Sequence, residues 1–502
     1  MKITKKILVS TFLVLFQTIM FGQSTDGVEE NGSSDKPYTL QELTIKIKEL
    51  EAEREKVNDK VFPTKKNWFE SMNIGGYLQM RYNGLLQSND ALLDPSDNSV
   101  GGVRDFSFRR GRVKFSGDVN KKRVGYYIQL DYANVGHAGA GVGSGVTSSG
   151  SNPVGSITQT QSTNYNWVEL RDAYVDLSLD TKTDNDGNAL GEYKLRFGLT
   201  KVPFGFDNLQ SSQNRLAFER SLAINSAAPG ERDMGIFFHW APQGVRKLFK
   251  SLVDEGFKGS GDYGVFNIGV YNGQAANTPE AGSRGSIFSS NALRLDSDKH
   301  VAARISYPFV IGEQILEIGA SAYTGYYQLL SQPSVDFINN QVIPANSDLS
   351  IQERRFAPAI ILYPKPFGLQ AEYTWGKGPA FNTFIDSSNA LKSNISSKDL
   401  QGGYVTASYL KIFENGMKIQ PYTRYQYFDG GRKNSGVADY YTLHEIEGGI
   451  EFTPWKAFEL TVAFTNRNQQ VYNLNSLKPI TALNPSNDQS GNMIRVQAQL
   501  NF

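Results

Sequence analysis

The 502-residue chain contains no cysteine. It therefore holds no disulfide and no lipid-carrying N-terminal cysteine, whatever compartment it reaches. It has four histidines, His137, His239, His300 and His444, and none has the paired spacing of a metal site. Charge of one sign is also lacking: the formal net charge is +1, which argues against a nucleic-acid binder. Beyond the N-terminus no stretch reaches eighteen consecutive apolar residues, so no spanning helix is expected. That absence leaves a membrane barrel open, because alternating strands barely register on hydropathy.

The remaining composition favours strands. Hydrophobic residues make up only 39%, yet aromatics reach 12% and glycine numbers 48, a mix suited to many strands joined by turns. The N-terminus reads as a signal peptide over residues 1–22. Lys2, Lys5 and Lys6 precede a mostly apolar run from Ile7 to Phe21, and Gly22 supplies a small residue for cleavage. Removing those three lysines takes the formal charge from +1 to −2. Residues 23–72 are expected to form a polar linker and a short helix. Thr39 and Glu42 have capping-box spacing, and Leu40, Leu43, Ile47, Leu50 and Val57 follow a three-four seam that Arg54 interrupts. A short periplasmic coiled coil and a single amphipathic helix both fit that seam.

From 73 to 502 one pattern recurs: runs of about nine to eleven alternating residues, then a turn or loop. In the last run Ile494, Val496, Ala498, Leu500 and Phe502 share one face, and Arg495, Gln497, Gln499 and Asn501 the other. Strands are expected near 74–87, 104–118, 124–135, 167–179, 193–202, 233–241, 262–272, 299–307, 315–325, 354–363, 367–376, 402–412, 417–428, 444–453, 457–467 and 492–502. The sixteen runs alternate short connections (118–123, 308–312, 364–366, 414–416, 454–456) with long ones (88–103, 136–166, 272–299, 326–353, 376–400, 429–443, 468–491). Short turns on one rim and long loops on the other are the layout of an outer-membrane barrel, so the fold class is all-β, a sixteen-stranded antiparallel transmembrane barrel. Two connections on the short side, 181–192 and 241–261, are longer, and the second carries a helix-like stretch from Val245 to Phe257.

Charged residues recur on the polar faces, as in Lys194 with Arg196 and Glu447 with Glu451. A basic side chain facing lipid would cost roughly 2–4 kcal/mol at mid-depth, so these groups must line water. Sixteen strands enclose an aqueous lumen, and the expected function is passive diffusion of small hydrophilic solutes. In the second strand Phe106 and Phe108 point one way, as do Val113 and Phe115 further on. Keeping both pairs outward requires one extra residue, and a bulge at Gly111, beside Arg109 and Arg110, would aim guanidinium groups into the lumen. The connection 203–232 is the third long loop, the one expected to fold inward and narrow the pore. It carries Arg215, Arg220 and Arg232 among Asp207, Glu219 and Glu231.

Several stretches resemble one family. Phe108-Arg109-Arg110-Gly111-Arg112-Val113-Lys114-Phe115-Ser116-Gly117 is similar to the second strand of the phosphate-selective porin O and P family. Arg171-Asp172-Ala173-Tyr174-Val175-Asp176, Leu195-Arg196-Phe197-Gly198 with Lys201-Val202-Pro203-Phe204-Gly205, Phe218-Glu219-Arg220-Ser221, and Pro229-Gly230-Glu231-Arg232-Asp233-Met234-Gly235 resemble later segments in order. The terminal Phe502 resembles a barrel-assembly signal. The resemblance implies a trimeric channel whose arginines form a ladder along the lumen wall and whose lysines sit at the constriction, passing phosphate or polyphosphate. Onto this sequence it carries Arg110, Arg112 and Lys114, and Arg196 and Lys201. With Lys194 on the same fifth strand and Arg215, Arg220 and Arg232 near the loop, these nine are the expected pore-lining, anion-binding residues. The chain departs from the family in having no lysine cluster at 207–231, and in placing Glu317, Glu447, Glu451 and Glu459 on inward faces.

The expected partners are small solutes, phosphate among them, outer-membrane lipid and two further copies of the chain. No cofactor, metal or catalytic residue is expected. Glycines 139, 141, 143 and 145 lack the helix a phosphate loop needs, and Asp184 and Asp186 lack the glycine position of a calcium loop. Two other functions compete: a porin for oligosaccharides or organic acids, in which Tyr77, Tyr323 and Trp375 would stack on the solute, and a closed barrel serving as a surface scaffold.

Overall fold

The computed structural model describes residues 68–86, 92, 106–132, 168–227, 232–273, 299–329, 334–336, 341–343, 349–385, 391–432, 438–472 and 489–502. The signal peptide, the helix seam and the glycine-rich loop read from the sequence lie outside them.

A 3-10 turn, Trp68–Ser71, leads into the sheet. Its strands are β1 Asn73–Leu86, β2 Phe106–Val119, β3 Val124–Asp131, β4 Glu169–Ser178, β5 Tyr193–Lys201, β6 Arg232–Trp240, β7 Phe266–Tyr271 and β8 His300–Ile311. There follow β9 Gln314–Leu329, β10 Leu349–Leu362, β11 Phe367–Ile385, β12 Leu391–Tyr409 (continued by Lys411–Ile412), β13 Lys418–Gly431, β14 Tyr440–Trp455, β15 Phe458–Tyr472 and β16 Gly491–Asn501. Each strand pairs antiparallel with the next, and β1 pairs with β16 from Tyr77↔Asn501 to Leu86↔Asn492. The sheet thus closes on itself as a sixteen-stranded barrel. At the seam the Phe502 N–H donates to the Gly76 carbonyl at 3.1 Å, and the Gly76 N–H donates to the Phe502 carbonyl at 2.8 Å.

Polarity is inverted relative to a water-soluble protein. Phe106, Phe367, Trp455, Ile446 and Ile450 are exposed on the outer face, while Arg81, Arg495, Glu317, Glu353 and Glu447 are buried inside. Water would penalise such a surface and lipid favours it. Among the described residues no helix is long and apolar enough to cross a membrane; the crossing is done by strands.

All sixteen expected strands are present. Several run beyond their expected ends: β11 and β12 each extend to nineteen residues. Much of the connection expected at 376–400 is therefore a continued hairpin. In that extension Gly378, Pro379, Ala380 and Phe381 are buried in succession, so both faces of the strand are covered and the alternation that marks a strand in sequence is lost there. A small hairpin, Ser334–Asp336 with Gln341–Ile343, likewise interrupts the connection expected at 326–353. The bulge in β2 is at Arg109: Gln79 pairs with Arg110 and Met80 with Phe108, leaving Arg109 as the extra residue.

Among the described residues two connections carry helices. The one between β5 and β6 holds α1 Phe206–Leu209 and α2 Leu222–Asn225. The one between β6 and β7 holds α3 Gln243–Asp254, matching the helix-like stretch of the sequence. Phe249 and Leu252 of α3 are buried against Phe257, Ile315, Ile361, Tyr363 and Leu410, and Phe206 of α1 joins the same cluster. Beside it Lys258 pairs with Glu451 and reaches Glu459 at 3.5 Å.

Candidate functional site: the inner loop and the basic wall

The loop after β5 turns into the barrel. Nearly every described residue from Val202 to Ala227 is buried, although the segment is polar and carries Asp207, Arg215, Glu219 and Arg220. A polar segment is stable there only if the wall satisfies its backbone and side chains. The Gly205 N–H donates to Ser321 Oγ of β9 at 2.9 Å. The Phe206 and Asp207 N–H groups donate to the Glu372 carboxylate of β11 at 2.8 and 3.2 Å. Phe218 N–H donates to Glu447 of β14 at 3.2 Å, and Leu222 N–H to Gln426 of β13 at 3.0 Å. In the other direction Arg355 of β10 donates to Ser226 Oγ at 2.7 Å, and Gln499 of β16 to the Gln213 carbonyl at 3.1 Å. The loop is thereby anchored to β9, β10, β11, β13, β14 and β16.

Positive charge gathers where the loop meets β1 and β2. Glu219 receives Arg81 at 2.7 Å, Arg109 at 3.0 Å and Arg110 at 3.0 Å. Arg215 lies within electrostatic reach of the same carboxylate. The bulge makes this possible: it turns Arg109 to the same side as Arg110, so two successive guanidinium groups reach one acid. Arg110 also donates to Gln79 Oε1 at 3.1 Å. Lower on β2, Lys114 donates to Gln213 Oε1 at 2.7 Å, and both Lys114 and Arg112 lie over the Tyr77 ring, at 5.6 and 5.7 Å.

The nine basic residues singled out by sequence divide into groups. Arg110 and Arg215 belong to the Glu219 cluster, with Lys114 beside the loop. Arg112 pairs with Asp131 at 2.9 Å. Arg196 makes a two-pronged contact with Asp176 at 2.7 and 2.9 Å, and Arg232 does the same with Asp172 at 3.0 and 2.9 Å. Lys201 donates to the carbonyls of Asn208, Leu209 and Gln210 at 3.0, 2.9 and 3.0 Å, gripping the end of α1. Arg220 donates to the carbonyls of Asp207 and Gln210 at 3.1 and 3.0 Å. Lys194 stands half-buried on β5.

Arg81, Arg424 and Glu372 are central to the site and were not among those nine. Their signal was the inward parity of their strands, as in Gln79, Arg81 and Asn83 alternating with Leu78, Met80 and Tyr82. Of the aromatics expected inside, Tyr77 and Tyr323 are buried on the lumen side. Trp375 is not: it is 47% exposed on the outer face, because Glu372 and Thr374 take the inward positions of β11.

A closed sixteen-stranded barrel with an apolar exterior, a charged interior and a loop folded into its lumen defines an outer-membrane porin. The chain belongs to the phosphate-selective porin O and P family, whose sequence profile matches residues 80–502. No curated protein sequence matches it. Among solved structures it is similar to the outer membrane channel DcaP of Acinetobacter baumannii, at 15% identity and a TM-score of 0.44, over 86% of this chain and 97% of that one. It is also similar to an anion-selective porin from Comamonas acidovorans, at 11% identity and a TM-score of 0.43, over 86% and 99%. A third is OmpT of Vibrio cholerae, at 9% identity and a TM-score of 0.42, over 86% and 97%.

Proposed function

We propose that this porin is a passive channel for small hydrophilic solutes that favours anions such as phosphate, and that it works as a homotrimer. The observation that carries the anion preference is the convergence of basic groups where the inner loop meets the wall: Arg81, Arg109 and Arg110 reach Glu219 directly, with Arg215 nearby. In this reading the loop is the constriction; guanidinium groups gathered in such a low-dielectric passage attract anions, and the planar fork matches phosphate oxygens. Arg110, Arg112, Lys114 and Arg215 form the proposed track, giving an anion several weak sites in succession, as conduction requires. In this reading Lys194, Arg196, Lys201, Arg220 and Arg232 set the field and hold the wall and loop in place. Transport runs down the solute gradient and needs no cofactor.

The test is the reversal potential of the purified protein in a planar bilayer across a potassium chloride gradient, repeated with phosphate. Anion-selective current that phosphate blocks, with the block weakened in Arg110→Gln, supports the proposal. Weak or cation selectivity untouched by phosphate overturns it. Sedimentation in detergent reads the number of copies. A closed-lumen surface scaffold is the competing function, favoured by the near-complete burial of residues 202–227. A folded protein that carries no current in potassium chloride would establish it.

A further inference from the structure

The outer face of β9 to β14 carries a hollow that the channel does not use. Two neighbouring rows of outward residues cross these strands in register. One runs Ile318, Ile360, Ala371, Val405 and Tyr425, from β9 to β13. The next runs Tyr373, Gly403, Tyr427 and His444, from β11 to β14. Each row has a small residue in its middle, Ala371 in the first and Gly403 in the second. Around them Ile318, Ile360, Tyr373, Val405 and Tyr425 stand between 40% and 48% exposed. Small residues framed by large ones leave a depression, here of about 940 Å³, a size that holds a whole ligand. Its floor is fixed at Gly403, where a Cβ would lie 2.2 Å from the Glu372 carbonyl oxygen.

The hollow changes character along its length. At β9 and β10 its lining is aliphatic, and Ile318 is four positions past Gln314, the first residue after a short turn. At the other end His444 is four positions past Tyr440, the first residue of β14 after a long connection. There the Tyr425 hydroxyl lies 2.9 Å from His444 Nδ1, the Tyr427 ring is 4.9 Å from the imidazole, and Thr442 completes the lining. With the hydroxyl donating to Nδ1, the ring hydrogen sits on Nε2. Among the described residues Nε2 has no partner. Glu372 also borders the hollow, but its carboxylate is on the lumen side, where the Phe206 and Asp207 N–H groups hold it. No lysine or arginine lines the space.

We propose that this hollow binds an individual acyl lipid of the outer leaflet. One chain lies over Ala371 and Gly403, and the ester or amide carbonyl at its head accepts a hydrogen bond from His444 Nε2. The hollow is continuous with the lipid-facing side of an outer-membrane barrel, so lipid is what covers it. Its order matches the order of a lipid: hydrocarbon toward the membrane interior, polar linkage beside aromatic rings at the long-loop rim. The absence of lysine and arginine from its lining fits a neutral chain. The site holds whatever solute the lumen passes.

The experiment is native mass spectrometry of the detergent-purified protein after incubation with dimyristoyl phosphatidylglycerol. One lipid per barrel should survive the activation that strips the others. Ala371→Phe fills the floor from an outward position and should lower the retained fraction about tenfold, through lost burial of the chain. His444→Ala should lower it about fivefold, the factor of one hydrogen bond. Val462→Phe, outward on β15 and outside the hollow, should leave it unchanged. Heat-modifiable migration on a gel confirms that each variant is a folded barrel. A folded, unaltered protein that holds no lipid overturns the site, as does an equal loss in Val462→Phe and Ala371→Phe. Retention untouched by His444→Ala overturns the placement of the carbonyl. Sedimentation distinguishes the other occupant: if Ala371→Phe lowers the number of copies per particle and the unaltered protein holds no lipid, the hollow is a contact between barrels and the proposal fails.

Discussion

Arg424 on β13 donates to the Asp207 carboxylate of the inner loop at 2.9 Å, with both side chains almost sealed from solvent. The same carboxylate oxygen accepts the Ser221 N–H at 2.6 Å, so one acid ties the start of the loop both to the wall and to its own return. Removing one partner of a buried pair costs on the order of 3–5 kcal/mol, because the other charge stays behind unmatched. Asp207→Ala should therefore loosen the constriction. The expected outcome is a larger and noisier single-channel conductance with a lower melting temperature. Unchanged conductance would show that the loop holds its place without this tie.

Glu219→Gln tests the charge of the constriction without deleting its hydrogen-bond acceptor. The substitution removes an acid that meets Arg81, Arg109 and Arg110 together. Anion selectivity should rise and phosphate should block at lower concentration, both read in the bilayer. A reversal potential that does not move would mean the permeating ion does not sense this cluster.

Lys258, in the connection after α3, gives a prediction about alkaline stability. Burial works against its charged form, but the Glu451 and Glu459 carboxylates outweigh it and hold the ammonium above its ordinary value of 10.5. A folded pKa raised in this way contributes stability that is fully present below the unfolded value and is lost as pH rises through the folded one. Melting temperatures of the unaltered protein should hold up to the unfolded value of 10.5 and fall as pH rises from there through the folded one. Lys258→Met should melt lower at neutral pH and show a smaller further loss in alkali. Parallel alkaline curves for the two proteins would rule the ion pair out as a cause.

Gly198 has φ of +125°, and a Cβ placed there would lie 2.3 Å from the Ala173 carbonyl oxygen of the neighbouring strand. Gly198→Ala should cost on the order of 1–3 kcal/mol in backbone strain and clash. The expected result is a reduced yield of heat-modifiable, folded barrel on a gel. A normal yield would show that β4 and β5 can part locally without harm.

Much of this barrel was legible in the sequence because lipid outside and water inside impose opposite demands on successive residues. A bulge in β2 was legible for the same reason, since Phe108 and Val113 could both face lipid only with one residue to spare; the sequence pointed to Gly111 for it, and the extra residue is Arg109. The far ends of β11 and β12 were hidden because that demand stops where neighbours cover both faces of the strand, as from Gly378 to Phe381. Trp375 was misplaced for want of a register: Thr374, not Trp375, shares the inward face with Glu372. The partners of the inner loop were beyond reach of any local pattern. Asp207 meets Glu372 and Arg424 only because the sheet closes, across 165 and 217 positions of chain.

The all-round anchoring of the loop bears on how the molecule comes to be built. Contacts so distant along the chain make for slow folding. Val202–Ala227 holds Gln79 and Arg81 of the first strand, Glu372 and Arg424 of later ones, and Gln499 of the last. Gln79 bonds at once to Ser212 of the loop and to Gln499 of the closing strand, so a change that unseats the loop is felt at the seam where the ring closes.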